Sequence, residues 1–183
     1  EDMKSPEMNR ALESYNSGVE EYNRGNIEGA LSLFKNSLEY YPENSKASHY
    51  IARIYFGRGE KGLALSYYQD AVEYDPADSV SILGIGQVYF DMGDYDRAME
   101  YYDKAVDAGP KYGLAYYNRG TLYGMQKQYI PALDDLNRSI KLNPDNANAY
   151  LNRGLAYYFL QQVDAACEDW HKAADMGLEK GVE

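Results

Sequence analysis

Between Ser79 and Tyr112, apolar residues recur at three- and four-residue spacing: Ile82, Ile85, Tyr89 and Phe90. The pattern pauses at Gly93-Asp94, resumes with Tyr95, Ala98, Tyr102 and Ala105, and stops at Gly109-Pro110. That spacing predicts a helix, a tight turn and a second helix closed by a breaker. The same pattern overlays the chain on both sides. Pro42, Pro76, Pro110 and Pro144 lie 34 residues apart. Small residues keep the step: Gly18, Ala52, Gly86, Gly120 and Gly154 in the first helix of each pair, Ala30, Ala64, Ala98, Ala132 and Ala166 in the second. A further small series runs Ser37, Ala71, Ala105, Ser139, Ala173, and a large one Phe34, Tyr68, Tyr102, Leu136, Trp170. Five copies fit: 11–44, 45–78, 79–112, 113–146 and 147–180, with a lead-in at 1–10 and a tail at 181–183.

Ser5-Pro6-Glu7 reads as a helix start, with a serine cap, a proline at the first helical position and an acid at the positive end of the dipole. The first helix is expected over 6–24 and its partner ends at Tyr41-Pro42; later pairs are expected at 46–58 with 60–74, 78–92 with 94–108, 112–125 with 128–141, and 147–160 with 162–176. Pro131 falls in the first turn of its helix, where it is tolerated. Gly25, Gly59 and Gly93 turn the first three pairs; Lys127 and Gln161 replace them, so the last two turns are expected to avoid a left-handed residue. Glycine and alanine at the pair interface allow close approach, and tyrosines fill the wider gaps. Much of the tyrosine content, 21 residues, is therefore read as core.

The period and the small–aromatic–small–proline pattern, carried in the third copy by Gly86, Tyr89, Ala98, Tyr102, Ala105 and Pro110, resemble the tetratricopeptide repeat. The resemblance covers nearly the whole chain. It implies an all-α fold: an α-solenoid of antiparallel helix pairs stacked as a right-handed superhelix. Two departures stand out. Glu21 takes the place of Tyr55, Tyr89, Tyr123 and Tyr157, and Leu178 takes the place of the closing proline. The run Tyr116 to Gly120 resembles bacterial members of the family.

A net charge of −11 opposes phosphate binding, so nucleic acid and anionic membrane surfaces are disfavoured as partners. The single cysteine, Cys167, excludes an internal disulfide and is read as a packed side chain; it sets no redox compartment. No stretch has the length of a membrane-spanning helix, and none looks like a signal peptide. No phosphate-binding glycine loop, metal-ligand cluster or nucleophile motif occurs, so no cofactor and no catalysis are expected.

Comparison of the copies isolates one paired change. Ser17, Ile51 and Ile85 give way to Arg119 and Arg153, while Leu33, Tyr67 and Tyr101 give way to Asp135 and Asp169. Arginine and aspartate arrive together. Ion pairs Arg119–Asp135 and Arg153–Asp169 are expected between the helices of each pair, against the alternative of solvated charges.

The resemblance also implies a concave groove lined by first helices. By analogy its candidate residues are Tyr15, Val19 and Tyr22, then Lys46, His49, Arg53 and Phe56, then Leu83, Gln87 and Phe90, then Tyr117 and Met125, and finally Leu151, Leu155 and Tyr158. So apolar a lining marks a binding surface. Lys46, His49 and Arg53 share one helix face. They either anchor an acidic ligand or pair with carboxylates of neighbouring helices; a metal role for His49 is disfavoured, because no second ligand lies at the required spacing. The carboxylate clamp by which some family members hold chaperone tails would need Lys and Asn, then Asn, then Lys and Arg. This chain offers Tyr15 and Val19, then Tyr50, then Val80 and Gly84. The leading expectation is a non-enzymatic scaffold holding a peptide segment of a partner protein in the groove. The alternative is self-association through an unsealed last helix bearing Val163, Trp170 and Ala174, which only a short tail from Gly177 follows.

Overall fold

The computed structural model describes residues 5–177. Among them are ten α-helices and no strand: α1 (Pro6–Asn23), α2 (Ile27–Tyr40), α3 (Ser45–Gly57), α4 (Lys61–Tyr74), α5 (Ser79–Asp91), α6 (Tyr95–Ala108), α7 (Gly113–Met125), α8 (Tyr129–Leu142), α9 (Ala147–Phe159) and α10 (Val163–Asp175). The closing position held by Leu178 and the tail at 181–183 lie outside the described residues. The helices group into two compact units, one up to Asp94 and one from Tyr95.

Helix ends follow the local chemistry. Ser5 Oγ accepts the Met8 N–H and Pro6 occupies the first helical position of α1. Asn44 and Asp78, 34 residues apart in sequence, cap α3 and α5 through side-chain oxygens that accept from Ala47 and Val80. Pro131 sits in the first turn of α8, as expected.

In the first unit α1 packs on α2 and α3 on α4, with α2 against α3 and α4 against α5. Phe34 fills the space that Gly18 leaves: a Cβ on Gly18 would lie 2.8 Å from the Phe34 ring. Ser37 ties three elements together. Its hydroxyl donates to the Ala11 carbonyl of α1 at 2.8 Å and accepts from the Asn44 amide at 2.9 Å, the residue that caps α3. Glu21, the acid in a tyrosine register, accepts from Arg24 and Asn26 at 2.7 and 2.6 Å. Its carboxyl is held below the usual range, first by the Asn26 hydrogen bond and then by Arg24. The departure from tyrosine therefore serves the first turn.

In the second unit α6 packs on α7, α7 on α8, α8 on α9 and α9 on α10. Ala132, Leu136, Ile140, Ala149 and Ala156 form one core cluster within it, flanked by Tyr117, Tyr123, Tyr129, Leu133 and Tyr150. Gly120 lets Leu136 and Asp135 approach, and Gly154 does the same for Trp170.

The turns after α7 and α9 depart from the sequence reading. Lys127 and Gln161 adopt φ of 61° and 64°, the left-handed conformation found at Gly25, Gly59 and Gly93. Hydrogen bonding explains it. Lys127 N–H bonds the Gly124 carbonyl at 3.0 Å and Gln128 N–H the Tyr123 carbonyl at 2.9 Å; Gln161 and Gln162 repeat this with Tyr158 and Tyr157. Each is the paired closure that ends a helix on a left-handed residue. The turn is imposed by satisfying those carbonyls while the next helix packs back, and the side chain accepts the strain.

Candidate functional site

The two arginine registers are built alike. Arg119 on α7 makes a two-toothed contact with Asp135 on α8, Nε to Oδ2 at 2.7 Å and Nη2 to Oδ1 at 2.8 Å. Arg153 on α9 does the same with Asp169 on α10, at 2.7 and 2.6 Å. The remaining nitrogen, Nη1, reaches one copy back in sequence: Arg119 to Asp103 on α6 at 2.8 Å, Arg153 to Asn137 on α8 at 2.7 Å. Tyr116 and Tyr123 flank the first guanidinium, and Tyr150 and Tyr157 the second, at 5.4 to 6.0 Å from the ring centres. Both arginines are held more firmly protonated than usual, chiefly by the hydrogen bonds to Asp135 and Asp169. Their role is to brace helices. The contacts to Asp103 and Asn137 were not read from sequence, because that register holds unlike residues, Lys35, Gln69, Asp103, Asn137 and His171.

On the first-helix face of the first unit, Tyr15 and Tyr22 meet Tyr50, with ring centres at 6.0 and 5.3 Å. Tyr50 also stacks on Phe34 at 4.8 Å. Tyr50 is thus the centre of this aromatic cluster, although the groove registers passed over it. Burial, and then the neighbouring Tyr50, push the Tyr15 hydroxyl up. Val19, Phe56, Gln87 and Phe90 are half-buried along these helices. Leu83 is a correction: it is 1% exposed and offers no groove surface. Helix α5 is apolar almost all round, with Ser81 to Gly86 buried in succession, so Leu83 has no solvent side.

The basic stripe divides. His49 turns inward: the Ser81 hydroxyl donates to Asp78, leaving its oxygen to accept from the His49 Nδ1–H at 2.8 Å. Burial lowers the His49 pKa, with Arg53 adding to the effect and Asp78 opposing it. Arg53 is exposed and lies over Tyr22 and Tyr50 at 5.4 and 5.9 Å. Lys46 is exposed. Among the described residues neither Lys46 nor Arg53 has a carboxylate at ion-pair distance, so pairing with neighbouring helices is not what occupies them.

In the second unit a cavity of about 220 Å³ opens between α7 and α9 over a floor of Leu136 from α8. Gly120, Thr121, Gly124 and Met125 form one wall, Asn152, Leu155, Ala156 and Phe159 the other. One polar link crosses it: Asn152 Nδ2 donates to Thr121 Oγ1 at 2.9 Å, and Thr121 in turn donates to the Tyr117 carbonyl at 2.7 Å. Met125 and Phe159 are 52% and 53% exposed at its rim, and Leu155 and Tyr158 are exposed alongside. Phe159 is held by stacking on Tyr129, 4.8 Å between ring centres. Of the residues read from sequence, Met125 and Leu155 line this cavity directly, while Tyr117 and Leu151 are half-buried on the same helices. Asn152 and Ala156 were missed; Asn152 shares its register with Asn118, a recurrence that the later copies display.

Among the described residues no group of three or more His, Cys, Asp or Glu could hold a metal ion, and no helix is long and apolar enough to cross a membrane.

Four models of the tetratricopeptide repeat match the chain, over residues 15–79, 86–127, 113–146 and 136–168. No curated protein matches it at a significant level. Solved structures share the fold. PilF of Pseudomonas aeruginosa superimposes with a TM-score of 0.86 at 19% identity, over 96% of this chain and 80% of PilF. The crystal structure of MamA gives 0.73 at 21% identity, over 95% and 98%. YrrB, a TPR protein with an unusual peptide-binding site, gives 0.70 at 19% identity, over 91% and 86%. Helix pairs without strands, repeated at one step and matched by these models and folds, make this chain an all-α solenoid and a protein–protein interaction scaffold: it belongs to the tetratricopeptide repeat family.

Proposed function

We propose that the chain is a non-enzymatic adaptor that holds a peptide segment of a partner protein against the first-helix faces of its copies. The observation that carries the reading is the open apolar cavity between α7 and α9, rimmed by Met125, Leu155 and Phe159, with Asn152 as a fixed polar group in its wall. A concave apolar site with few convergent polar groups suits side-chain anchors of a bound segment. The peptide-binding site of YrrB, a protein of similar fold, is consistent with this use.

Site-specific photocrosslinking in source extract tests it. A photoreactive residue at Leu155 is expected to trap a partner protein, and one at Asp134, exposed on the second helix α8, is not. Equal trapping at both positions, or at neither, refutes the reading.

A second reading, self-association through α10, is favoured by Val163, 49% exposed, and by exposed Cys167 on the same helix. The corresponding outer residues of α1, Glu13, Asn16, Ser17 and Glu20, are polar and exposed, which disfavours head-to-tail stacking of copies. Sedimentation showing a monomer mass at all concentrations removes this second reading.

A further inference from the structure

The partner's chemistry is legible on the first unit, and the inference rests on the groove reading above. The second, fifth, ninth and twelfth residues of copies one to three carry no carboxylate, in a chain with 29 aspartates and glutamates, and the one acid at their thirteenth residue, Asp91, is taken by Lys61 at 2.6 Å. Elsewhere on this unit cations meet acids: Arg24 pairs with Glu21 at 2.7 Å, Lys61 with Asp91 at 2.6 Å, and Arg58 with Glu28. Arg10 and Lys35 lie over the rings of Tyr40 and Tyr55. Lys46 and Arg53 are exposed on one face of α3 and, among the described residues, have no carboxylate at ion-pair distance. Arg53 is pre-positioned, because stacking over Tyr22 and Tyr50 fixes its guanidinium without using its hydrogen-bond donors.

We infer that this face takes an acidic, apolar peptide, with one carboxylate on Lys46 and another on Arg53. The spacing sets the pattern. Two turns of α3 separate the two cations, about 10 Å along the axis. An extended segment of polyproline twist brings every third side chain to one side at about 3.1 Å per residue. Acids at i and i+3 therefore match that separation. Half-buried Tyr22 and Phe56, both the twelfth residue of their copies, lie one turn beyond Arg53 and suit an apolar residue that follows the acid held there. His49 takes no part, since its Nδ1–H is committed to Ser81.

The test is selection of a random peptide library displayed on phage against the whole chain, in parallel with the Lys46→Glu/Arg53→Glu and Lys46→Gln/Arg53→Gln variants. Circular dichroism confirms equal helicity, which exposed side chains make the expected result. Wild type is expected to enrich peptides with Asp or Glu three residues apart. Charge reversal should weaken the best of these by about tenfold, and the enriched peptides should weaken as salt rises. Enrichment of apolar peptides without acids, or the same peptides from wild type and the reversed variant, overturns the inference and leaves the groove reading standing. No enrichment by wild type overturns both.

Discussion

Ser37 and Ser139 occupy the same register and are both fully buried, yet their situations are opposite. Ser37 Oγ has two partners, and Ser139 Oγ has none among the described residues. Ser37→Ala should therefore cost about 1–2 kcal/mol, while Ser139→Ala should be neutral or stabilise by up to about 1 kcal/mol, since a buried hydroxyl without a partner carries its desolvation cost unrelieved. Urea unfolding midpoints of the two variants check the sign. Lys127 and Gln161 call for the same treatment. Both hold left-handed φ, so Lys127→Gly and Gln161→Gly should each raise stability by about 1 kcal/mol, and Gly59→Ala should lower it by a similar amount. Thermal unfolding of the three variants decides this. Sequence reading failed here for a definite reason. It inferred the turn from the residue present, whereas the turn is set by the carbonyls of Tyr123, Gly124, Tyr157 and Tyr158, which need their hydrogen bonds whatever side chain follows. Leu83 failed for a related one: a register transferred by analogy ignores how apolar its own helix is.

At the scale of elements the helices, and the pairing of α1 with α2, α3 with α4, α7 with α8 and α9 with α10, were legible, because apolar spacing and the 34-residue step encode them directly. The arginine–aspartate pairs were legible because two residues changed together between copies; the third contact was not, because Asp103 and Asn137 share only a register and a geometry. These braces are largely shielded, with side-chain exposure of 19% for Arg153 and 8% for Asp169. Asp169→Ala leaves Arg153 without its carboxylate, with the Asn137 hydrogen bond remaining, and should cost about 3 kcal/mol, the low end for a pair broken in the interior. The second copy fills the same registers with Ile51 and Tyr67. Arg153→Ile with Asp169→Tyr should accordingly recover most of that loss, because an apolar pair removes the uncompensated charge. A double-mutant cycle by chemical denaturation measures it; a double variant no better than Asp169→Ala alone contradicts the account.

Over the whole molecule, net charge −11 and the inward turn of His49 act on stability with opposite slopes as pH falls. Protonating surface acids relieves repulsion between like charges. His49 works the other way. Its folded pKa lies below the ordinary value of about 6.5, so its contribution is fully present above that pH and is lost as pH falls through the lowered value, because the unfolded chain takes up the proton first. Unfolding midpoints for wild type and His49→Gln, compared at pH 7.5 and 5.5, should converge at the lower pH; a constant difference contradicts the sign. The arginine brace has a further consequence, for how such a chain can grow. Each arginine draws on an acid in its own copy and on a residue one copy back. Tandem duplication of residues 113–146 would hand the new arginine both kinds of partner and leave Arg153 with an asparagine at the right distance. The second unit is therefore ready to be lengthened by whole repeats in a single genetic event, whereas an insertion of another length between an arginine and one of its anchors shifts that pair out of register.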